Sequence, residues 1–99
     1  MLKNSELIKR KIGNHKMYVD KNDPGISMTL RRPKYLRKWH REPEFMDIVE
    51  SEIKKDMVVL DIGANIGYVT LFMAEYVGRN GKIYAVEPSP RNFEILNEN

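Results

Sequence analysis

A length of 99 residues, no cysteine and a formal charge of +3 bound this chain to one small domain with a modest core, and they exclude a disulfide scaffold or a thiolate metal site. No apolar stretch approaches the roughly 20 residues that span a bilayer, and the start, MLKNSELIKRK, lacks the apolar core of a secretory signal, which points to the cytoplasm. The charge is uneven: residues 1–41 carry 12 Lys and Arg against three acids, whereas residues 42–99 carry five against eleven.

The pattern divides the chain into a basic lead-in, 1–41, and an α/β portion, 42–99. In the lead-in, residues 15–20 and 26–30 read as short strands joined by Lys21-Asn22-Asp23-Pro24-Gly25, a strong turn signal, and together they predict a β-hairpin. His15 reads as a strand residue, and with His40 it makes no metal cluster. Arg32-Pro33 breaks regular structure, and 34–40 follows as a turn of helix or a loop. Trp39-His40 reads as an apolar plug over the sheet or as a platform that stacks on a substrate. The basic front either attracts nucleic acid, anionic lipid or a phosphorylated substrate, or is a solvated surface. Its cations are scattered over turns without a nucleic-acid-reading motif, which favours the solvated surface.

Beyond residue 42, Phe45, Ile48, Val49 and Ile53 recur at helical spacing and predict a helix over 44–55. The run 57–62 (MVVLDI) has the continuous apolar character of a strand buried on both faces of a parallel sheet. Gly63 and Gly67 bracket a sharp turn, after which Val69, Phe72, Met73, Tyr76 and Val77 form one stripe of a helix stopped by Gly78. Asn80-Gly81 turns the chain into a second strand, 82–86, ending at Glu87-Pro88. Ser89-Pro90 then places an N-cap before proline at the first position of a last helix. Strand, helix, strand within about 30 residues is a right-handed βαβ unit with parallel strands.

Such a sheet binds ligands beyond the carboxyl ends of its strands, where the loop 63–67 lies. Gly63, Ala64 and Gly67 lack bulk and let a ligand approach the backbone, and the amides opening the next helix suit an anionic group such as a carboxylate. Glu87, at the end of the second strand, suits both hydroxyls of a ribose. Dinucleotide sites use G-x-G-x-x-G, but here the pattern is Asp61-x-Gly63-x-Asn65-x-Gly67. It resembles the D-x-G-x-N-x-G of class I S-adenosylmethionine-dependent methyltransferases. The resemblance implies a Rossmann-like fold, with this chain as its N-terminal part: one βαβ unit, a following helix and a hairpin lead-in. It also implies S-adenosylmethionine as cofactor. Asp61, Gly63, Ala64, Asn65 and Gly67 would line the methionine end, Tyr68 would wall the pocket, Glu87 would take the ribose, and Pro88 and Ser89 would lie near the adenosine.

More narrowly, GANIGY at 63–68, Thr70, GKIYAVEPSP at 81–90 and NFEILNEN at 92–99 resemble the FkbM family, many of whose members methylate hydroxyl oxygens; the segment 13–30 is similar to that family's lead-in. Before the motif that family carries a YE…T-like stretch, which Glu42 fits, although its tyrosine and threonine are absent. The resemblance implies methylation of a hydroxyl on a small molecule or glycan. The full fold has about seven strands, the later ones supplying adenine contacts, acceptor pocket and any base, so the expectation is a cofactor half-site with little or no turnover alone. The alternatives are a fragment of an RNA methyltransferase, or a non-enzymatic nucleoside-binding or assembly module. No catalytic residue or oligomeric state is read from the sequence.

Overall fold

The computed structural model describes residues 6–31 and 43–99. The expectations for 32–42, namely the break at Arg32-Pro33, the stretch 34–40, Trp39-His40 and Glu42, lie outside the described residues. The chain opens with an antiparallel hairpin of β1 (Leu7–Ile12) and β2 (His15–Asp20), with Ile12 opposite His15 across the two-residue turn Gly13-Asn14. Gly13 has φ 56, the positive value that tight hairpin turns demand at their first position.

The hairpin therefore differs from the expected one. Residues 15–20 are a strand, but their partner precedes them, and 26–30 form a short helix, α1 (Ile26–Leu30). Asp23 accounts for the difference, because its Oδ1 accepts from the Gly25 amide (2.9 Å) and its Oδ2 from the Ser27 amide (2.9 Å), satisfying donors that open a helix. Burial alone would raise the Asp23 pKa, but these hydrogen bonds and the nearby Arg91 outweigh it, holding the carboxyl below its ordinary value. The Asp-Pro-Gly signal thus starts a helix here. The true first strand, LIKRKI, hides its pattern among charges: Ile12 is fully buried and Arg10 half-buried, while Lys9 and Lys11 are exposed.

The second part follows expectation closely. Helix α2 (Pro43–Glu52) buries Met46 and Val49, β3 (Val58–Ile62) leads through the glycine loop into α3 (Tyr68–Val77), and β4 (Lys82–Val86) lies parallel to β3 with Asp61 beside Ala85. Gly78 terminates α3. Helix α4 (Pro90–Glu98) is capped by Ser89, whose side chain accepts from the Asn92 amide (3.4 Å).

One expectation about the sheet does not hold. Val59, Asp61, Ile83 and Ala85 are half-buried on the inner face, whereas Val58, Leu60 and Ile62 remain 70%, 60% and 76% exposed on the other, beside Tyr84 and Val86. The crossover helix of a single βαβ unit can cover only one face. Apolar runs of this kind encode burial on both faces, but no described residue covers the second.

A single cluster joins hairpin and sheet. Ile12, Met17, Val19 and Leu30 pack with Met46, Val49, Ile66, Tyr68, Phe72, Met73 and Ile95. Full burial of a side chain such as Ile66 or Ile95 contributes roughly 1.5–3 kcal/mol. Polar ties reinforce the contact between β2 and α4. The Asn99 side chain accepts from the Tyr18 amide (2.5 Å) and donates to the carbonyls of Tyr18 (3.1 Å) and Ile66 (2.7 Å). Asp20, fully buried, pairs with Arg91 on α4. His15 lies on β2 and pairs with Glu75 on α3 at 3.1 Å.

Candidate functional site

The parallel register of β3 and β4 ends both strands at one edge, and the loop from Gly63 to Gly67 crosses that edge before α3 begins. Its backbone visits the left-handed region three times, at Gly63 (φ 79), Asn65 (φ 56) and Gly67 (φ 101). Two of these positions require glycine for separate reasons. A Cβ on Gly63 would meet nothing within 4 Å, so its role is conformational and leaves the loop open to a ligand. A Cβ on Gly67 would stand 3.0 Å from Leu96 Cδ1, so there the absence of a side chain also lets α4 close in.

The loop is held by its own amides. Gly63 and Ala64 both donate to the Val86 carbonyl (2.8 and 3.0 Å), and Gly67 donates to Ala64 (3.0 Å). Asn65 donates to Glu87 Oε2 at 2.6 Å, and the Ser89 amide donates to Glu87 Oε1 at 2.9 Å. Glu87 is thus more than a surface acid waiting for a ribose. Its carboxylate ties the glycine loop to the turn after β4, and each oxygen keeps a second lone pair for a hydroxyl. Ser89 is committed on both sides, its amide to Glu87 and its hydroxyl to the α4 cap. Pro88 is exposed beside them.

A cleft of about 310 Å³ opens beside the loop, at the low end of the range for small-molecule sites. Five expected residues line it, Asp61, Gly63, Ala64, Asn65 and Tyr68, whereas Gly67, Glu87, Pro88 and Ser89 do not. Tyr68 is also 1% exposed and belongs to the core. Asp61 is fixed by Thr70, whose hydroxyl donates to Oδ2 at 2.6 Å from the first turn of α3. Asn65 Oδ1 is shut off from solvent and meets no donor among the described residues.

Ile26, Phe45, Ile62 and Val69 line the cleft without having been expected there. Ile26 and Phe45 come from α1 and α2, and no local signal ties them to the loop. Thr70 carried a weak signal, a hydroxyl one helical turn beyond the glycine loop. Among the described residues no group of three or more His, Cys, Asp or Glu could hold a metal, and no helix is long and apolar enough to cross a membrane.

Comparison with known proteins extends this picture. Residues 5–99 match the family model of protein-L-isoaspartate(D-aspartate) O-methyltransferase. The chain is similar to a protein-L-isoaspartate O-methyltransferase of Caenorhabditis elegans, 32% identical over 75 residues, which are 76% of this chain and 31% of that protein. It is also similar to the ribosomal RNA large subunit methyltransferase E of Buchnera aphidicola, 29% identical over 89 residues, or 88% of this chain and 42% of that one. Among solved structures, a SAM-dependent methyltransferase from Aquifex aeolicus superposes with a TM-score of 0.55 at 29% identity, covering 79% of this chain and 40% of that one. The chain therefore spans less than half the length of these relatives, and its fold is part of the class I methyltransferase fold. The resemblance to the FkbM family is overturned by the family match. Its motif residues build the loop and the strand ends, which carry nothing about the acceptor.

Proposed function

The chain belongs to the protein-L-isoaspartate(D-aspartate) O-methyltransferase family, and from that premise we propose that it holds S-adenosylmethionine for methyl transfer to a carboxylate of an altered aspartyl residue in a protein. The expectation of a small-molecule or glycan hydroxyl as acceptor is corrected by the same match, which names a protein residue. The match over residues 5–99 carries this reading, and the geometry of the cleft agrees with it.

The residues fit the cofactor. Asp61 offers an acceptor to its amino-acid end, Gly63 and Ala64 leave room for it, and Glu87 has lone pairs left for the ribose hydroxyls. When bound, S-adenosylmethionine supplies a methyl group on a positively charged sulfur. An isoaspartyl carboxylate is ionised at neutral pH and needs no general base to become nucleophilic, in contrast with a hydroxyl. The one carboxylate among the described residues lining the cleft, Asp61, is held by Thr70, which suits a positioning role.

Two measurements on the 99-residue chain test the reading. Titration with S-adenosylmethionine should give saturable binding where NAD gives none. Whatever label passes from methyl-labelled S-adenosylmethionine to paired isoaspartyl and aspartyl peptides, little as a half-site is expected to transfer, should fall on the isoaspartyl one alone. Label on a glycan or RNA oligomer instead would refute the acceptor assignment.

A further inference from the structure

Along the chain the cations of the lead-in look scattered, but the register of the hairpin gathers three of them. Lys9 stands opposite Tyr18 and Lys11 directly opposite Lys16, all four on the face of β1 and β2 turned away from buried Met17 and Val19. The three lysines are exposed, and the Lys9 ammonium lies 5.0 Å from the centre of the Tyr18 ring. Like charges directly opposite each other weaken a strand pair, so Lys11 and Lys16 cost the hairpin stability. The acids of the same segment do not offset that cost. Asp20 is buried against Arg91, Asp23 is committed to the Gly25 and Ser27 amides, and among the described residues no acid stands within ion-pair distance of Lys9, Lys11 or Lys16. His15, on the other face, is met by Glu75.

A row of unmatched cations fits a polyanion, and the kind of cation selects which one. The guanidinium groups nearby are engaged: Arg10 donates to the Arg31 carbonyl at 3.1 Å, and Arg31 to the Lys21 carbonyl at 2.8 Å. The face therefore offers lysine point charges in place of the planar fork that matches a phosphate. Tyr18 is half-buried with an ammonium over its ring, which leaves no open platform for stacked bases. No exposed residue of the face is apolar, as an anchor in a lipid surface would be. An extended polypeptide, by contrast, presents alternate side chains about every 7 Å, the repeat at which β1 presents Lys9 and Lys11. We propose that this face docks an extended, acidic stretch of polypeptide, a stretch of the acceptor protein outside the residue that is methylated. The choice of a polypeptide rests on the acceptor reading given above. The face is also fixed to the cleft, because the Asp20 amide at the end of β2 donates to Ser27 Oγ at 3.0 Å and the neighbouring Ile26 lines the cleft wall.

Fluorescence anisotropy on the 99-residue chain tests this without methyl transfer. The probes are a labelled peptide of alternating glutamate and serine, its lysine and serine counterpart, and an RNA oligomer with the same number of negative charges as the acidic peptide. The acidic peptide should bind, more weakly as salt rises, and the basic one should not. Lys11→Gln/Lys16→Gln should bind the acidic peptide at least about fivefold more weakly, two exposed charge pairs being lost. Lys54→Gln/Lys55→Gln, exposed residues before β3 whose loss gives the same net charge, should stay within about twofold of wild type. The hairpin variant relieves a like-charge pair and should melt no lower than the wild type, which separates weaker binding from unfolding. The proposal is overturned by no binding of the acidic peptide at low salt, by an equal loss in both variants, or by a lower midpoint in the hairpin variant. Tighter binding of the RNA oligomer than of the acidic peptide would overturn it as well. The peptides hold no isoaspartyl residue, so a failed methylation assay would leave this result standing, and the two readings fail separately.

Discussion

Glu87 makes a prediction that separates two roles for one side chain. If it served only a ligand, its removal would leave the ligand-free protein untouched. The structure instead gives its carboxylate two backbone donors, Asn65 at 2.6 Å and Ser89 at 2.9 Å, which join the glycine loop to the turn after β4. A hydrogen bond to a charged group is worth about 1.5–3 kcal/mol. Glu87→Gln keeps one acceptor but turns an NH2 toward the other backbone amide, so one bond is lost and two donors face each other; a loss of about 1.5–3 kcal/mol follows. Glu87→Ala removes both bonds, yet the site is only half-buried and water can reach the freed amides, so about 2–4 kcal/mol is expected instead of the full sum. For a domain of this size each kcal/mol lowers the midpoint by about 4–8 °C. Thermal and urea unfolding of the ligand-free chain read this directly. An unchanged midpoint in Glu87→Ala would show that the carboxylate holds nothing together before a ligand arrives.

Thr70→Val should free the Asp61 carboxylate and lower stability by about 1–2 kcal/mol, with weaker binding of S-adenosylmethionine; Thr70→Ser should restore both, and calorimetry on the three proteins checks it. Asp23 has a depressed pKa in the folded state, so its contribution is complete above the ordinary carboxyl value of 3.8 and is lost as pH falls through the lower folded value. The stability difference between wild type and Asp23→Asn should therefore be constant at neutral pH and shrink only below about pH 4, as urea titrations at stepped pH would reveal. Leu60→Lys, on the open face of the sheet, should change stability by no more than about 0.5 kcal/mol; a loss of several kcal/mol would mean that this face is covered.

Local chemistry made much of this protein legible. The apolar run 57–62, the spacing of Gly63 and Gly67, the stripe of α3 and the Ser89-Pro90 cap are all short-range patterns, and each element appears within a residue of where those patterns place it. The hairpin was misread because Asp23-Pro24-Gly25 is compatible with a turn between strands and with the start of a helix. What decided between them was Asp23 meeting the Gly25 and Ser27 amides while LIKRKI paired with β2. The family is not legible for a different reason, since the chain is similar to methyltransferases named for unlike acceptors, a protein isoaspartate and a ribosomal RNA.

The sequence by itself determined the βαβ unit and its glycine loop, because helical and strand periodicity and the backbone demands of a tight loop act over a few residues. Only the tertiary structure decided that Glu87 clamps the loop, that Ile26 and Phe45 wall the cleft, and that Asn65 Oδ1 is buried without a described donor. Each of these depends on groups brought together from distant parts of the chain, and no local spacing records such a meeting.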